Sequence, residues 1–153
     1  MLIGVPKEIK NHEYRVGMAP ASVREAVGHG HQVMIQSQAG EGIGASDDEY
    51  RSVGAEIIED PKDIFARAEM IVKVKEPHAN ERAMLSPGQI LFTYLHLAPD
   101  PDQTRDLVAS GATCIAYETV TSPHGGLPRL APMSKVAGRM AIQAGAYCLE
   151  HPH

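Results

Sequence analysis

The chain has 153 residues, 14 basic and 19 acidic side chains, and a formal net charge of −5. That length is one domain with room for a sizeable core, and 43% apolar with 22% charged residues is ordinary globular composition. The acidic balance, with no basic run, excludes a nucleic-acid footprint; no apolar run reaches membrane-spanning length, and MLIGVPKEIK (1–10) has no signal-peptide core.

In chain order, LIGV (2–5) reads as a strand, followed by a polar loop and a helix ending near Gly30. QVMIQ (32–36) is a second strand. AGEGIGAS (39–46) spaces its glycines as GxGxG, not as GxGxxG between a strand and a helix, so it reads as a tight-turning loop and not a phosphate cradle. Ser46 with Glu49 forms a capping-box pattern, and that helix ends near Gly54. AEII (55–58) is a third strand. Asp60-Pro61 starts a helix with an N-cap carboxylate and proline at its first position. MIVKV (70–74) and QILFTYL (89–95) are further strands. Asp100-Pro101 opens another helix, with Gln103 strengthening the cap, and Gly111 closes it before ATCIAY (112–117). Gly125-Gly126, between Pro123 and Pro128, marks a turn.

The last pattern is one long helix over 132–150, stopped by Pro152. Met133, Val136, Met140, Ala144 and Tyr147 fall at helical spacing, and Ala137, Ala141 and Gly145 make a stripe of small residues. Cys114 and Cys148 show no ligand spacing and read as buried free thiols, which fits a reducing, cytoplasmic compartment. The eight histidines are scattered, so no metal site is expected. The β-α-β-α rhythm implies an α/β fold: a doubly wound, Rossmann-like or flavodoxin-like, mostly parallel sheet with flanking helices.

Ligands of such sheets bind beyond the carboxyl ends of the strands. Four of those ends carry ionisable groups: the loop holding Arg15 after the first strand, Lys75-Glu76 after MIVKV, His96 after FTYL, and Glu118 after CIAY. Each has a plainer reading. Arg15 fits a surface ion pair, Glu76 can balance Lys75, His96 fits a core histidine bonded to a carbonyl, and Glu118 fits a cap or ion-pair partner. Together they form a chemical set for a small carboxylate. Arg15 can grip a carboxylate with two parallel hydrogen bonds. Lys75 can polarise a carbonyl or imine, and His96 can move a proton at neutral pH. The kit suits a 2-oxo acid or amino acid undergoing redox at its α-carbon.

VPKEIKNHEYRVGMAP, MIVKVKEP, GQILFTYLHLA, IAYETV and LAPMSKVAGRMA closely resemble, in order, the N-terminal half of alanine dehydrogenases. These belong to a superfamily shared with the proton-translocating transhydrogenases, whose α-subunit lacks the histidine at the place of His96. The resemblance implies NAD-dependent oxidative deamination of L-alanine to pyruvate, and the reverse. It implies that His96 is the acid/base group and that Arg15 and Lys75 bind the substrate, with Lys75 also catalytic. It further implies that Tyr94, Leu130 and Met133 line the pocket, and that Ser134 lies at the hinge beside the NAD cofactor. Residues 1–131 would then be the N-terminal part of the substrate domain and 132–153 an inter-domain helix. The NAD-binding domain is absent from this chain, so it reads as a truncated segment, inactive alone, of a homo-oligomer that is often hexameric in the family. Lys135 stands where the family usually has glutamate, and Arg129 where it tends to be apolar. The alternatives are a stand-alone module binding small carboxylates, and a transhydrogenase α-subunit-like domain.

Overall fold

In the computed structural model, which describes residues 1–150, six strands form one sheet. They are β1 Leu2–Val5, β2 Gln32–Gln36, β3 Glu56–Ile58, β4 Met70–Val72, β5 Ile90–Thr93 and β6 Thr113–Ala116. Their order is β3-β2-β1-β4-β5-β6, and every neighbouring pair is parallel. This is the doubly wound order in which the chain leaves β1 first toward one edge and then toward the other.

The helices start where short-range chemistry dictates. They are α1 Pro20–Gly28, α2 Asp47–Ser52, α3 Pro61–Arg67, α4 Ala79–Arg82, α5 Pro101–Ser110 and α6 Ala131–Leu149. The box at α2 closes in both directions: Glu49 N–H donates to Ser46 Oγ at 3.2 Å, and Ser46 N–H donates to Glu49 Oε2 at 2.9 Å. Asp60 accepts from Lys62 N–H at 2.9 Å, ahead of Pro61 in the first turn. Asp100 does the same for Gln103 N–H at 2.9 Å, and Gly111 ends α5 in the left-handed region at φ +69°. The sequence gives no expectation of α4, a single turn without an apolar stripe. It is held by Glu81, whose carboxylate accepts from His78 N–H at 2.8 Å.

Alternating side chains of the central strands divide between two cores, one on each face of the sheet. Val33 and Ile35 of β2, with Val5, Val72 and Ile3, pack with Val23 of α1 and Tyr50 of α2. Met34, Ile71 and Leu91 pack on the other face with Ile64 and Phe65 of α3 and Leu107 of α5. Each fully buried side chain of this size contributes about 1.5–3 kcal/mol.

The chain divides into two compact units, Met1–Ala116 and the part from Tyr117 onward. The second holds a 3-10 helix at Tyr117–Thr119, a turn with Gly125 and Gly126 at positive φ, and α6. None of the residues of α6 is buried. Cys148 on α6 is therefore exposed and Cys114 on β6 only half-buried, which corrects the expectation of two buried thiols; both are free. The stop at Pro152 lies outside the described residues.

Candidate active site at the ends of β1, β4 and β5

At the switch point, β1 and β4 are neighbours whose outgoing chains diverge, which opens a crevice above their carboxyl ends. The loop from β1 to α1 fills one side of it. Its anchors are specific. Lys7 N–H donates to Gln36 Oε1 at 2.9 Å, and Lys7 Nζ lies 3.3 Å from Glu41. Tyr50 O–H donates to the Met18 carbonyl at 2.9 Å, and burial pushes that phenol up to about 12. Gly17 sits so close to β4 that a Cβ there would overlap the Val72 carbonyl. Gly42 lies equally close to the Tyr14 backbone, so the glycine-rich stretch is a buttress for the Arg15 loop. A cleft of about 590 Å³ opens along this loop, with Lys10, His12, Glu13 and Arg15 in its wall.

Arg15 is held by Glu13. Its Nε donates to Oε1 at 2.8 Å and its Nη2 to Oε2 at 2.6 Å. The bond holds the Glu13 carboxyl below the usual carboxylate range and raises the guanidinium above its own. Arg15 is still 43% exposed at its side chain. Its field reaches Tyr94 and Glu8, and the charge of Lys75 reaches Glu13.

The end of β4 is fixed from below by a buried ionic cluster. Lys73, 1% exposed, lies 2.7 Å from Glu81 Oε1 and 3.6 Å from Glu8 Oε2. Glu8 also accepts the Val74 and Lys75 backbone N–H groups, at 2.7 and 3.4 Å. Burial holds its carboxyl above the usual range, against the opposing pull of Lys73. The Lys75 carbonyl accepts from Thr93 Oγ1 at 2.9 Å, so both flanks of Lys75 are tied down. Among the described residues Lys75 forms no ion pair. The expected balance by Glu76 is not found: Glu76 Oε1 pairs with Lys10, and Oε2 lies 3.6 Å from His96 Nδ1.

Past β5, Tyr94 and Leu95 are buried, and His96 adopts φ +46°. A non-glycine residue in that region is strained and is held only by its surroundings. Here the holder is Gln103. Its side-chain amide donates to the Leu95 carbonyl, so it does not complete the cap of α5 that the sequence suggests; only its backbone N–H does that. The ring of Tyr94 stacks on that of His96, centroids 6.0 Å apart and 24° between planes.

Arg15, Lys75, Tyr94 and His96 thus occupy one region of the first unit, linked by Coulombic reach, ladder bonds and ring stacking. Leu130 is the N-cap of α6, and Met133 and Ser134 lie in its first turn. Glu118 lies in the 3-10 helix at Tyr117–Thr119. Sequence reasoning passed over Glu13, Glu8, Lys73 and Glu81. One signal was present: Lys73 is the fourth residue of the otherwise apolar run MIVKV, where a buried charge needs a partner. Among the described residues no group of three or more His, Cys, Asp or Glu is placed to hold a metal ion, and no helix is long and apolar enough to cross a membrane.

Fold and site together define a parallel, doubly wound α/β domain with cationic and imidazole groups at its switch point. Residues 4–137 match the family profile described as alanine dehydrogenase/PNT, N-terminal domain, and the chain belongs to that family. It is 61% identical over 150 residues to an alanine dehydrogenase of Halomonas elongata, which covers 98% of this chain and 40% of that protein. An alanine dehydrogenase of Bacillus subtilis is 51% identical over 152 residues, 99% of this chain and 40% of its own length. Among solved structures, an L-alanine dehydrogenase superposes with a TM-score of 0.90 at 52% identity, over 98% of this chain and 41% of that one. A transhydrogenase from Sinorhizobium meliloti shares the fold, with a TM-score of 0.73 at 24% identity over 77% of this chain and 35% of that one. The chain spans about 40% of the length of the curated relatives it matches.

Proposed function

We propose that this chain is the substrate-holding segment of an NAD-dependent, cytoplasmic, homo-oligomeric alanine dehydrogenase. The reaction converts L-alanine, NAD⁺ and water to pyruvate, ammonium, NADH and a proton. What supports the reading is that Arg15, Lys75 and His96 follow β1, β4 and β5, adjacent strands of the sheet, in a chain 61% identical to a named alanine dehydrogenase.

The division of labour follows from charge and position. Arg15, oriented by Glu13, meets the substrate carboxylate, so the ligand adds a second carboxylate to a guanidinium already held in place. Lys75, tied at its backbone by Glu8 and Thr93, places positive charge where the α-oxygen or α-nitrogen lies. His96 takes or gives a proton at the α-substituent. Tyr94 supports the ring of His96. Leu130 and Met133 as pocket residues, and Ser134 as a cofactor contact, are proposed on the family resemblance alone.

The glycine-rich loop does not fit the phosphates of a dinucleotide. The glycine run turns through a 3-10 helix at Glu41–Ile43, and Gly42 is backed by Tyr14, so no row of N–H groups is open to phosphate. We assign most of the NAD site to the part of family proteins that this chain does not span. The test is calorimetric titration of pyruvate and of L-alanine into the 153-residue chain. Saturable binding to the wild type, lost in Arg15→Ala and in Lys75→Ala, supports the reading. Binding indifferent to both substitutions, or none at all, refutes it. NADH-dependent amination of pyruvate by this chain alone would refute the assignment of NAD elsewhere.

A further inference from the structure

We propose that Glu76 is the positioning residue of His96: its buried Oε2 accepts the Nδ1 proton and holds the neutral ring in a single tautomer, with the lone pair on Nε2. The role of that ring in the reaction rests on the reading above; the tautomer does not.

Three observations meet here. Glu76 Oε2 is buried and has no hydrogen-bond partner among the described residues, an unusual state for a carboxylate oxygen. The atom it faces is His96 Nδ1, at 3.6 Å. Its other oxygen is anchored by Lys10, so the carboxylate is oriented before the ring arrives. The ring is constrained as well. His96 sits at φ +46°, Gln103 fixes the Leu95 carbonyl beside it, and Tyr94 stacks on its face. Neither partner can turn away without giving up an anchor. A separation of 3.6 Å closes to hydrogen-bond length with a movement of well under an ångström, roughly 0.5 Å, of either side chain. An imidazole whose Nδ1–H is taken by a carboxylate has its tautomer and ring orientation set by that bond.

Lys10 makes the proposal sharply testable. In Glu76→Gln the ammonium of Lys10 continues to claim an oxygen acceptor. The amide oxygen therefore stays on the Lys10 side and the NH₂ group turns toward His96. A donor now faces Nδ1, which must become the acceptor, and the proton moves to Nε2.

The experiment is long-range ¹H–¹⁵N correlation spectroscopy of the ¹⁵N-labelled chain at alkaline pH, where the two neutral tautomers give distinct nitrogen shift patterns. His96 is picked out among the eight histidines by the pattern that vanishes in His96→Asn. The expected result is a major Nδ1–H tautomer in the wild type, inverted to Nε2–H in Glu76→Gln. An Nε2–H majority in the wild type overturns the proposal, and so does an unchanged tautomer in a folded Glu76→Gln chain. If that variant does not fold, the wild-type spectrum decides alone. Pyruvate added to the same sample separates the two readings. Binding with the wrong tautomer sinks the role of Glu76 only, and the expected tautomer without binding sinks the substrate reading only.

Discussion

Replacing Lys73 by methionine removes the one cation of the buried cluster while nearly keeping its volume. Glu8 and Glu81, 9% and 4% exposed, are then left facing each other with no compensating charge. Breaking a buried ion pair from one side costs about 3–5 kcal/mol. Both carboxylates retain backbone donors, Val74 and Lys75 on Glu8 and His78 on Glu81. The lower end, about 3 kcal/mol, is therefore the figure to expect. Against a domain stability of about 5–15 kcal/mol that is a large fraction. The assay is urea unfolding followed by far-UV circular dichroism, for wild type and Lys73→Met at a series of pH values. The pH dependence carries the diagnosis. Burial already raises the folded-state pKa of Glu8, and losing the Lys73 ammonium removes the positive charge that holds it down. A carboxyl raised in the folded state binds its proton there before the unfolded chain does, so stability is gained as pH falls through the folded value. The difference between the two proteins should thus shrink as the pH is lowered from neutral toward the ordinary carboxylate range. A loss under about 1 kcal/mol, the scale of an exposed pair, refutes the reasoning, and so does a loss that does not change with pH.

Glu13 behaves oppositely. Its carboxyl is lowered below 4.5 by the hydrogen bond from Arg15, so its contribution to stability is present above that value and lost as pH falls through the folded one. Urea midpoints of wild type and Glu13→Gln should therefore differ at neutral pH and converge in acid. Gln103→Leu removes the donor to the Leu95 carbonyl and is expected to cost about 1 kcal/mol, with faster amide exchange around residue 96 than at the rest of the sheet. Gly17→Ala drives a methyl into the Val72 carbonyl; about 1–3 kcal/mol should be lost in thermal unfolding, with weaker pyruvate binding as the Arg15 loop shifts off β4.

The parts of the fold legible in the sequence are those written within a few residues. Ser46 with Glu49, Asp60 with Pro61, and Gly111 each act on backbone they adjoin, and the strands QVMIQ and LIGV carry their own apolar runs. The position of Arg15, Lys75 and His96 at strand ends was legible too, because a parallel sheet sends its outgoing loops to one side. What supports those residues was not. Glu8 and Val74 are 66 residues apart, and nothing local to either announces their bond. Gln103 was misread for a related reason. Three residues after an N-cap aspartate it looks like a capping partner, but its side-chain amide donates to the carbonyl of Leu95, just past the end of β5. Glu76 stands next to Lys75 in the chain and faces His96 in space.

The central claim, that Arg15, Lys75 and His96 surround one small 2-oxo acid, is tested most directly by amide chemical-shift mapping of the chain during a pyruvate titration. Saturable shifts concentrated at residues 13–16, 73–76 and 94–97, and abolished in Arg15→Ala, are expected. Shifts that gather elsewhere, or that persist unchanged without the guanidinium, contradict it.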